Sequence, residues 1–479
     1  MKTHLLFALS AALVLPGCGG GSETVAGIDG RGNPTPAVGV VSKGAITGFG
    51  SVIVNGVEFD TSNALFGIDG RGGTQLDLAV GDVVVIEGTV NEDGTSPTAN
   101  SVTFDDAVEG PISAIDLAAQ TLTSLGQLVR VDADTSFDDS ISPASLDGLN
   151  VDDVVEVSGF FLADGSIGAT RIELKPAGGE LEITGIVNDV AGTTLEINGF
   201  VVDFTNAMVE NFPGGSPEIG QRVEAKGDAL GGMGQLLATR VEFKGNDFGE
   251  DGDRAEIEGF ITRFDVATPT DFDVEGVPVM TTALTVFENG TSVDLALNRK
   301  VEVEGDIDAA GVLIATKVEI KASGFIRIES LVEDVQANQL TVLGIVISVN
   351  EATRFEDKSA ASVELFSLAD LGAGDYVEIR GFEDASGVVA TRLEREDFDG
   401  EVALRGFVDS VNDPDFTILG ATVTTRRSPP DPVATTFTDL DGSPLTPAEF
   451  FLQANGRLVE ASGTLDGAMI DADEVEFEN

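Results

Sequence analysis

The chain contains no tryptophan, one tyrosine, one cysteine and one histidine among 479 residues. Each shortage closes a class of chemistry. Cys18 has no second cysteine with which to form a disulfide within the chain. The single histidine, His4, lies in a segment that reads as a cleaved leader, which leaves the mature chain without imidazole. That excludes Ser-His and Cys-His nucleophilic catalysis, histidine general bases, and zinc or haem sites built on His or Cys. No lysine has a serine three residues before it, and no G-x-x-x-x-G-K-[ST] loop occurs. Carboxylates, lysines and hydroxyls are the chemistry that remains. Tryptophan and tyrosine are also the amphipathic rings on which sugars commonly stack. Basic residues are scarce too, 27 against 82 acidic ones, for a net charge of −55. A field of that sign repels phosphate backbones, so nucleic acid is not an expected partner, and anionic membrane surfaces are disfavoured. It attracts cations instead.

Long apolar runs are equally absent. The longest, Leu5 to Leu15, is too short to span a bilayer and fits the core of a secretory signal. It ends in Leu-Pro-Gly-Cys, which resembles the lipobox of bacterial lipoproteins. That resemblance implies cleavage before Cys18 and lipidation of Cys18, so that acyl chains anchor the protein to a membrane. Gly19 at the next position points to the outer membrane, with the chain facing the periplasm or the exterior. Residues 1–17 are then signal and 18–43 a flexible tether rich in glycine and proline.

What the chain has in abundance is glycine, 58 residues, and 28 phenylalanines, enough apolar bulk for folded cores. The glycines recur in a frame. A glycine is followed by alternating apolar residues, a second glycine, a polar turn, and then Ala-polar-polar-apolar. The second glycine falls at Gly88, Gly159, Gly227, Gly305, Gly381 and Gly463, between 68 and 82 residues apart. The first position is Gly81, Asp152, Gly220, Asn298, Gly374 or Gly456, residue types that tolerate turn geometry. Upstream, "SVIVNGVEFD" and "LEINGFVVDF" each place Asn-Gly between alternating apolar residues, the signature of a type I′ hairpin. The equivalent turn glycines are Gly56, Gly126, Gly199, Gly276, Gly344 and Gly420.

These patterns predict an all-β protein of six tandem five-stranded antiparallel barrels, OB-like, strung as an array. The repeats run 44–106, 107–177, 178–246, 247–321, 322–397 and 398–479, with one helical turn fitting before the fourth strand. An immunoglobulin-like sandwich needs more strands and a longer unit. Units this small are marginal alone, so neighbours are expected to pack. Phe49, Phe59, Phe160, Phe200, Phe260 and Phe382, beside the repeat glycines, read as core. "GIDGRG", at 27–32 and again at 67–72, does not follow the repeat period. It connects no strand to a helix, and reads as linker in the first copy and as loop in the second.

The segment "GAITGFGSVIVNGVEFDTSNA", with the "GDVVVIEG" and "ANSV" that follow, resembles the bacterial repeat family known as domain of unknown function 5666. The resemblance implies a small β-barrel-like module, repeated in secreted or lipid-anchored proteins, and brings no catalytic residue with it.

One segment has metal-ligand spacing. "DFGEDGDRAEIE" places Asp247, Asp251, Asp253 and Glu258 at positions one, five, seven and twelve of a calcium loop, with Gly252 at six. Gly249 and Arg254 depart from that frame, no helices flank it, and a solvated acidic linker is the simpler reading. No catalytic residue and no cofactor other than calcium is assigned. The preferred expectation is a non-enzymatic, lipid-anchored envelope protein acting as a structural, adhesive or ligand-binding array, its partner an envelope glycan or protein. The alternatives are a carboxylate-based enzyme acting on polysaccharide and a calcium-responsive acidic surface protein.

Overall fold

The computed structural model describes residues 38–90, 96–245, 248–321, 324–350, 352–363, 365–384, 387–427, 434–440 and 442–478. Cys18, the first GIDGRG copy and Asp247 lie outside them. The described residues fold into six β-barrels, with a single α-helix, Pro447–Gln453.

Each barrel starts with a long opening strand: Gly39–Phe49, Val108–Asp116, Leu181–Ala191, Arg254–Phe264, Ile326–Gln336 and Val402–Asn412. A bulge near its middle bends it, as between Ile46 and Gly48, so one strand serves two neighbours. Its first half pairs with the fourth strand (Val40↔Gly88) and its second half with the hairpin (Phe49↔Val52). The fourth strand runs antiparallel to the closing strand, which lies parallel to the third, as in Val202↔Leu236. This closes a barrel in the order first, second, third, fifth, fourth and back to the first, as expected for an OB-like unit.

The two glycine signals have different causes. At the hairpins, both central residues are left-handed in every repeat, as at Asn55 and Gly56 with φ of 53° and 74°. At the second frame glycine φ is not the reason. The fourth strand bulges there against the closing strand, and a Cβ on Gly305 would lie 2.1 Å from the Ile314 carbonyl oxygen. The corresponding distance is 2.2 Å at Gly88, Gly381 and Gly463, 2.3 Å at Gly227 and 2.4 Å at Gly159. The frame glycine therefore marks a close backbone approach that no side chain permits.

The first half of each opening strand has a free edge, and these edges join the barrels in pairs. Repeat 2 pairs with repeat 3 (Val108↔Ile183) and repeat 5 with repeat 6 (Ile328↔Leu404), both antiparallel. Repeat 1 pairs instead with repeat 4, in parallel, Val40↔Arg254 through Lys43↔Ile257. The described residues thus form three sheets of 12 strands. Repeats 2 and 3 share one apolar core, and so do 5 and 6, while repeats 1 and 4 keep largely separate ones. Phe160 of repeat 2, fully buried, fills the junction with Ala45 and Val83 of repeat 1, packed by Phe260 of repeat 4.

Some boundaries move. The opening strand of repeat 1 starts at Gly39, inside the stretch expected to be tether, because Val40 buries in the core of repeat 1, Val41 buries in that of repeat 4, and the backbone pairs with repeat 4. The second GIDGRG copy is a hairpin rather than a loop, Leu65–Ile68 paired with Arg71–Gly73. Asp69 and Gly70 form its turn at φ of 49° and 73°. The helical turn before the fourth strand is present in five repeats, as 3-10 turns at Gln75–Asp77, Leu146–Gly148, Ser292–Asp294 and Leu368–Asp370 and as the α-helix in repeat 6. Of the flanking phenylalanines, Phe59 and Phe160 are fully buried and Phe49, Phe200, Phe260 and Phe382 half-buried.

Candidate functional site

Barrel strands alternate, so the residues between the core valines point outward. Here outward does not mean exposed. Glu156, Glu224, Glu302 and Glu378, three residues before the frame glycine, are buried between barrels. Each also lies directly opposite a second glutamate on the closing strand: Glu156↔Glu173, Glu224↔Glu242, Glu302↔Glu319 and Glu378↔Glu394. Like charges opposite each other destabilise a sheet. In repeats 2, 3 and 4 a lysine two residues further along the closing strand bridges both carboxylates. Lys175 reaches Glu156 at 2.6 Å and Glu173 at 3.1 Å. Lys321 does the same for Glu302 at 2.8 Å and Glu319 at 3.2 Å, and Lys244 for Glu224 and Glu242. Charged contacts also cross between sheets: Arg171 of repeat 2 donates to the Val80 carbonyl of repeat 1 at 3.2 Å, and Arg392 of repeat 5 to the Thr135 carbonyl of repeat 2 at 2.6 Å.

Among the described buried seam carboxylates, Glu256 and Asp106 have no lysine or arginine in contact, and Asp106 is the barer of the two. Asp106 stands between repeats 1 and 2, only 1% exposed, and neither of its carboxylate oxygens meets a hydrogen-bond donor. One oxygen of Asp106, one of Asp69 and one of Glu156 lie within 4.8 Å of one another. Asp69 is supplied by the repeat 1 hairpin turn, whose carbonyl accepts from Lys226 Nζ at 3.2 Å, while Arg71 of the same hairpin pairs with Glu180 at 2.6 Å. Those two contacts hold the turn over the seam of repeats 2 and 3. Glu156 comes from the fourth strand of repeat 2. Burial, then the carboxylates of Glu156 and Asp69, push Asp106 well above the usual carboxylate range. Burial also raises Glu156, to about 8, against the pull of Lys175, and it raises Asp69. Three oxygen donors crowded in a buried place can hold protons or a hard cation.

The calcium-loop residues are placed otherwise. Glu258 is buried in the opening strand of repeat 4, one oxygen taken by Lys300 at 2.8 Å and the other by the Ala45 backbone N–H at 3.2 Å. Burial alone would raise it, but Lys300 and Arg354 bring it down to about 2. Asp253 accepts from the Glu250 backbone N–H at 2.8 Å, and Asp251 is exposed in the same turn. Asp253 and Glu258 lie near the start and middle of one extended strand, roughly 16 Å apart, too far to share an ion. The structure therefore brings Asp251 and Asp253 into one turn and puts Glu258 elsewhere. Asp69, Asp106 and Glu156 escaped sequence reasoning because they belong to three separate elements. The faint signals were Asp69 within GIDGRG and Glu156 in a recurring Val-Glu-Val.

Between repeats 1, 2, 4 and 5 there is also a cavity of about 160 Å³, with Glu258, Lys300, Lys321, Arg354 and Thr391 in its wall. Its charges are largely paired: Thr391 Oγ1 donates to Asp134 at 2.7 Å, and Arg354 to the Asp134 carbonyl at 2.9 Å.

Comparison with known proteins places this architecture. No curated protein matches the chain. Among solved structures, Drosophila Unr CSD456 is similar at 13% identity, covering 44% of this chain and 98% of its own, with a TM-score of 0.14. A likeness that slight transfers nothing about function. The family model of the domain of unknown function DUF5666 matches six segments, 38–103, 109–173, 184–242, 258–319, 328–394 and 405–476, one to each barrel. The chain belongs to that family.

Proposed function

We propose that this is a non-enzymatic, lipid-anchored protein of the cell envelope in which six barrels act together as one structural scaffold. The observation that supports this most is the parallel pairing of repeat 1 with repeat 4. Two segments more than 200 residues apart in sequence complete each other's sheet, and repeats 2 and 3 lie between them in the chain. An array built for independent binding heads has no use for such a constraint, whereas a body that must hold its shape does. Buried outward-facing glutamates lead the same way, since these outer barrel faces are spent on neighbouring barrels. The acidic surface then faces water and cations, with an envelope glycan or protein as the partner class and no nucleic acid. The role rests on Cys18 for its anchor.

Two measurements test it. Labelled palmitate is expected to enter the wild-type chain and to be lost in Cys18→Ala. The purified protein is expected to leave envelope polysaccharides intact. Hydrolysis abolished by one carboxylate substitution would overturn the non-enzymatic reading, and label persisting in Cys18→Ala would overturn the anchor.

A further inference from the structure

We infer that Asp69, Asp106 and Glu156 form a binding site for a hard divalent cation, such as calcium, that clamps the repeat 1 hairpin to repeat 2.

Asp106 carries the inference. A carboxylate removed from water requires a donor, a proton or a cation, because burying it bare is costly. Three other buried carboxylates of these seams show how the fold meets that need. Glu156 has Lys175, Glu182 has Lys226, and Glu224 has Lys244. Asp106 has neither lysine nor arginine in contact, and both of its oxygens are unpartnered. The charged groups that act on it most are Glu156, Asp69, Glu182 and Glu109, all acidic.

The geometry suits a hard cation. An all-oxygen donor set selects hard cations, and oxygens held at about 2.3–2.6 Å from one calcium ion lie up to roughly 5 Å apart. The three carboxylate oxygens sit within 4.8 Å of one another, inside that limit. Glu156 keeps Lys175 on its Oε2, leaving Oε1 to serve an ion. Asp69 is presented by a turn in left-handed geometry, φ 49°, and the Asp106 backbone N–H donates to Asp69 Oδ1 at 3.4 Å, so both residues are already oriented toward each other. Water completes the shell. The ion would replace repulsion between three elements with a shared positive centre, and the hairpin would become a strap fastened at its tip.

The test is thermal unfolding with calcium at fixed ionic strength, since so acidic a chain also responds to any salt. Calcium at about 1 mM, the affinity range of extracellular modules, is expected to raise the melting temperature of the chelator-treated protein by several degrees beyond sodium chloride of equal ionic strength. Asp251→Asn, in the exposed acidic turn, should keep the full shift. Asp106→Asn should lose it, and should melt at or above the calcium-free wild type because a neutral amide removes the repulsion. If Asp106→Asn does not fold, Asp69→Asn at the hairpin tip gives the same reading. No calcium-specific shift in the wild type, or a full shift in both cluster variants, would overturn the site and leave the carboxylates holding protons.

Discussion

Repeats 4 and 5 share one backbone and settle one electrostatic problem in two ways. Both place a fourth-strand glutamate opposite a closing-strand glutamate, Glu302↔Glu319 and Glu378↔Glu394. In repeat 4, Lys321 follows Glu319 by two residues and bridges the pair. In repeat 5 that position is Glu396, and the cations come from elsewhere. Arg392 touches Glu378 at 3.0 Å and Glu394 at 3.3 Å, Lys358 meets Glu394 at 3.0 Å, and Arg327 and Arg380 reach Glu378 at 3.2 and 2.6 Å. The glycine frame is thus the invariant part, and the charges are a local solution around it. Repeat 4 relies on one bridging lysine, with Lys317 touching only Glu302 of the pair, at 3.6 Å, whereas repeat 5 spreads the same task over four cations.

Removing the lone bridge should have the largest effect. Lys321→Met leaves Glu302 and Glu319 facing each other with only Lys317 nearby, at 3.6 Å from Glu302. A loss of about 3 kcal/mol, the lower end for breaking a buried pair, is expected in denaturant unfolding. Lys358→Met in repeat 5 should cost clearly less, and equal costs would break the contrast. Next come the glycines, which test the shared part. Gly305→Ala and Gly381→Ala meet carbonyl oxygens at 2.1 and 2.2 Å, and each should lose about 2 kcal/mol, as overpacked sites do. Similar losses in both repeats would confirm one backbone rule, and unequal ones would deny it.

The smallest effect is a gain. Glu396→Lys installs in repeat 5 the residue that repeat 4 uses, and about 1 kcal/mol of added stability is expected at pH 8. Its pH dependence has a definite sign. Burial, then Glu378 and Glu394, raise Glu396 from the ordinary 4.5 to about 7. A group raised on folding stabilises at pH below its unfolded value and loses that contribution as pH climbs through its folded one. The wild-type melting temperature should therefore fall between pH 5 and pH 8, with Asp82, Glu356 and Glu476, each raised to about 7 by burial first, acting in the same direction. Glu258, held near 2, acts oppositely only in stronger acid. In Glu396→Lys the fall should be shallower, and a melting temperature rising toward pH 8 would contradict the assignment.

The sequence carried the barrels because each barrel is made locally. A hairpin needing left-handed residues and a bulge needing no Cβ recur within one repeat, so Asn55-Gly56 and Gly88 were legible where they stand. Pairing between barrels was not. Free edges on six similar opening strands look alike in sequence, and nothing near Val40 names Arg254 as its neighbour. The seams stayed hidden for a related reason. Alternation puts Glu302 on the outer face, which reads as solvent until a second barrel covers it. Asp69 looked like a residue in a glycine-rich loop, and only the folded hairpin brings it to Asp106 and Glu156. By contrast, the spacing from Asp247 to Glu258 matched a calcium loop in letters but not in space, because Glu258 continues into a strand and is claimed by Lys300.

The union of repeats 1 and 4 can be tested by one disulfide. A Cβ placed on Gly39 would fall 1.9 Å from Asp253 Oδ1, so cysteines at these two positions face each other across the parallel seam. In a Cys18→Ala background, Gly39→Cys with Asp253→Cys should oxidise almost completely within the monomer and run faster on a non-reducing gel. Free thiols under the same conditions, or bridges formed only between molecules, would mean that repeats 1 and 4 do not share a sheet.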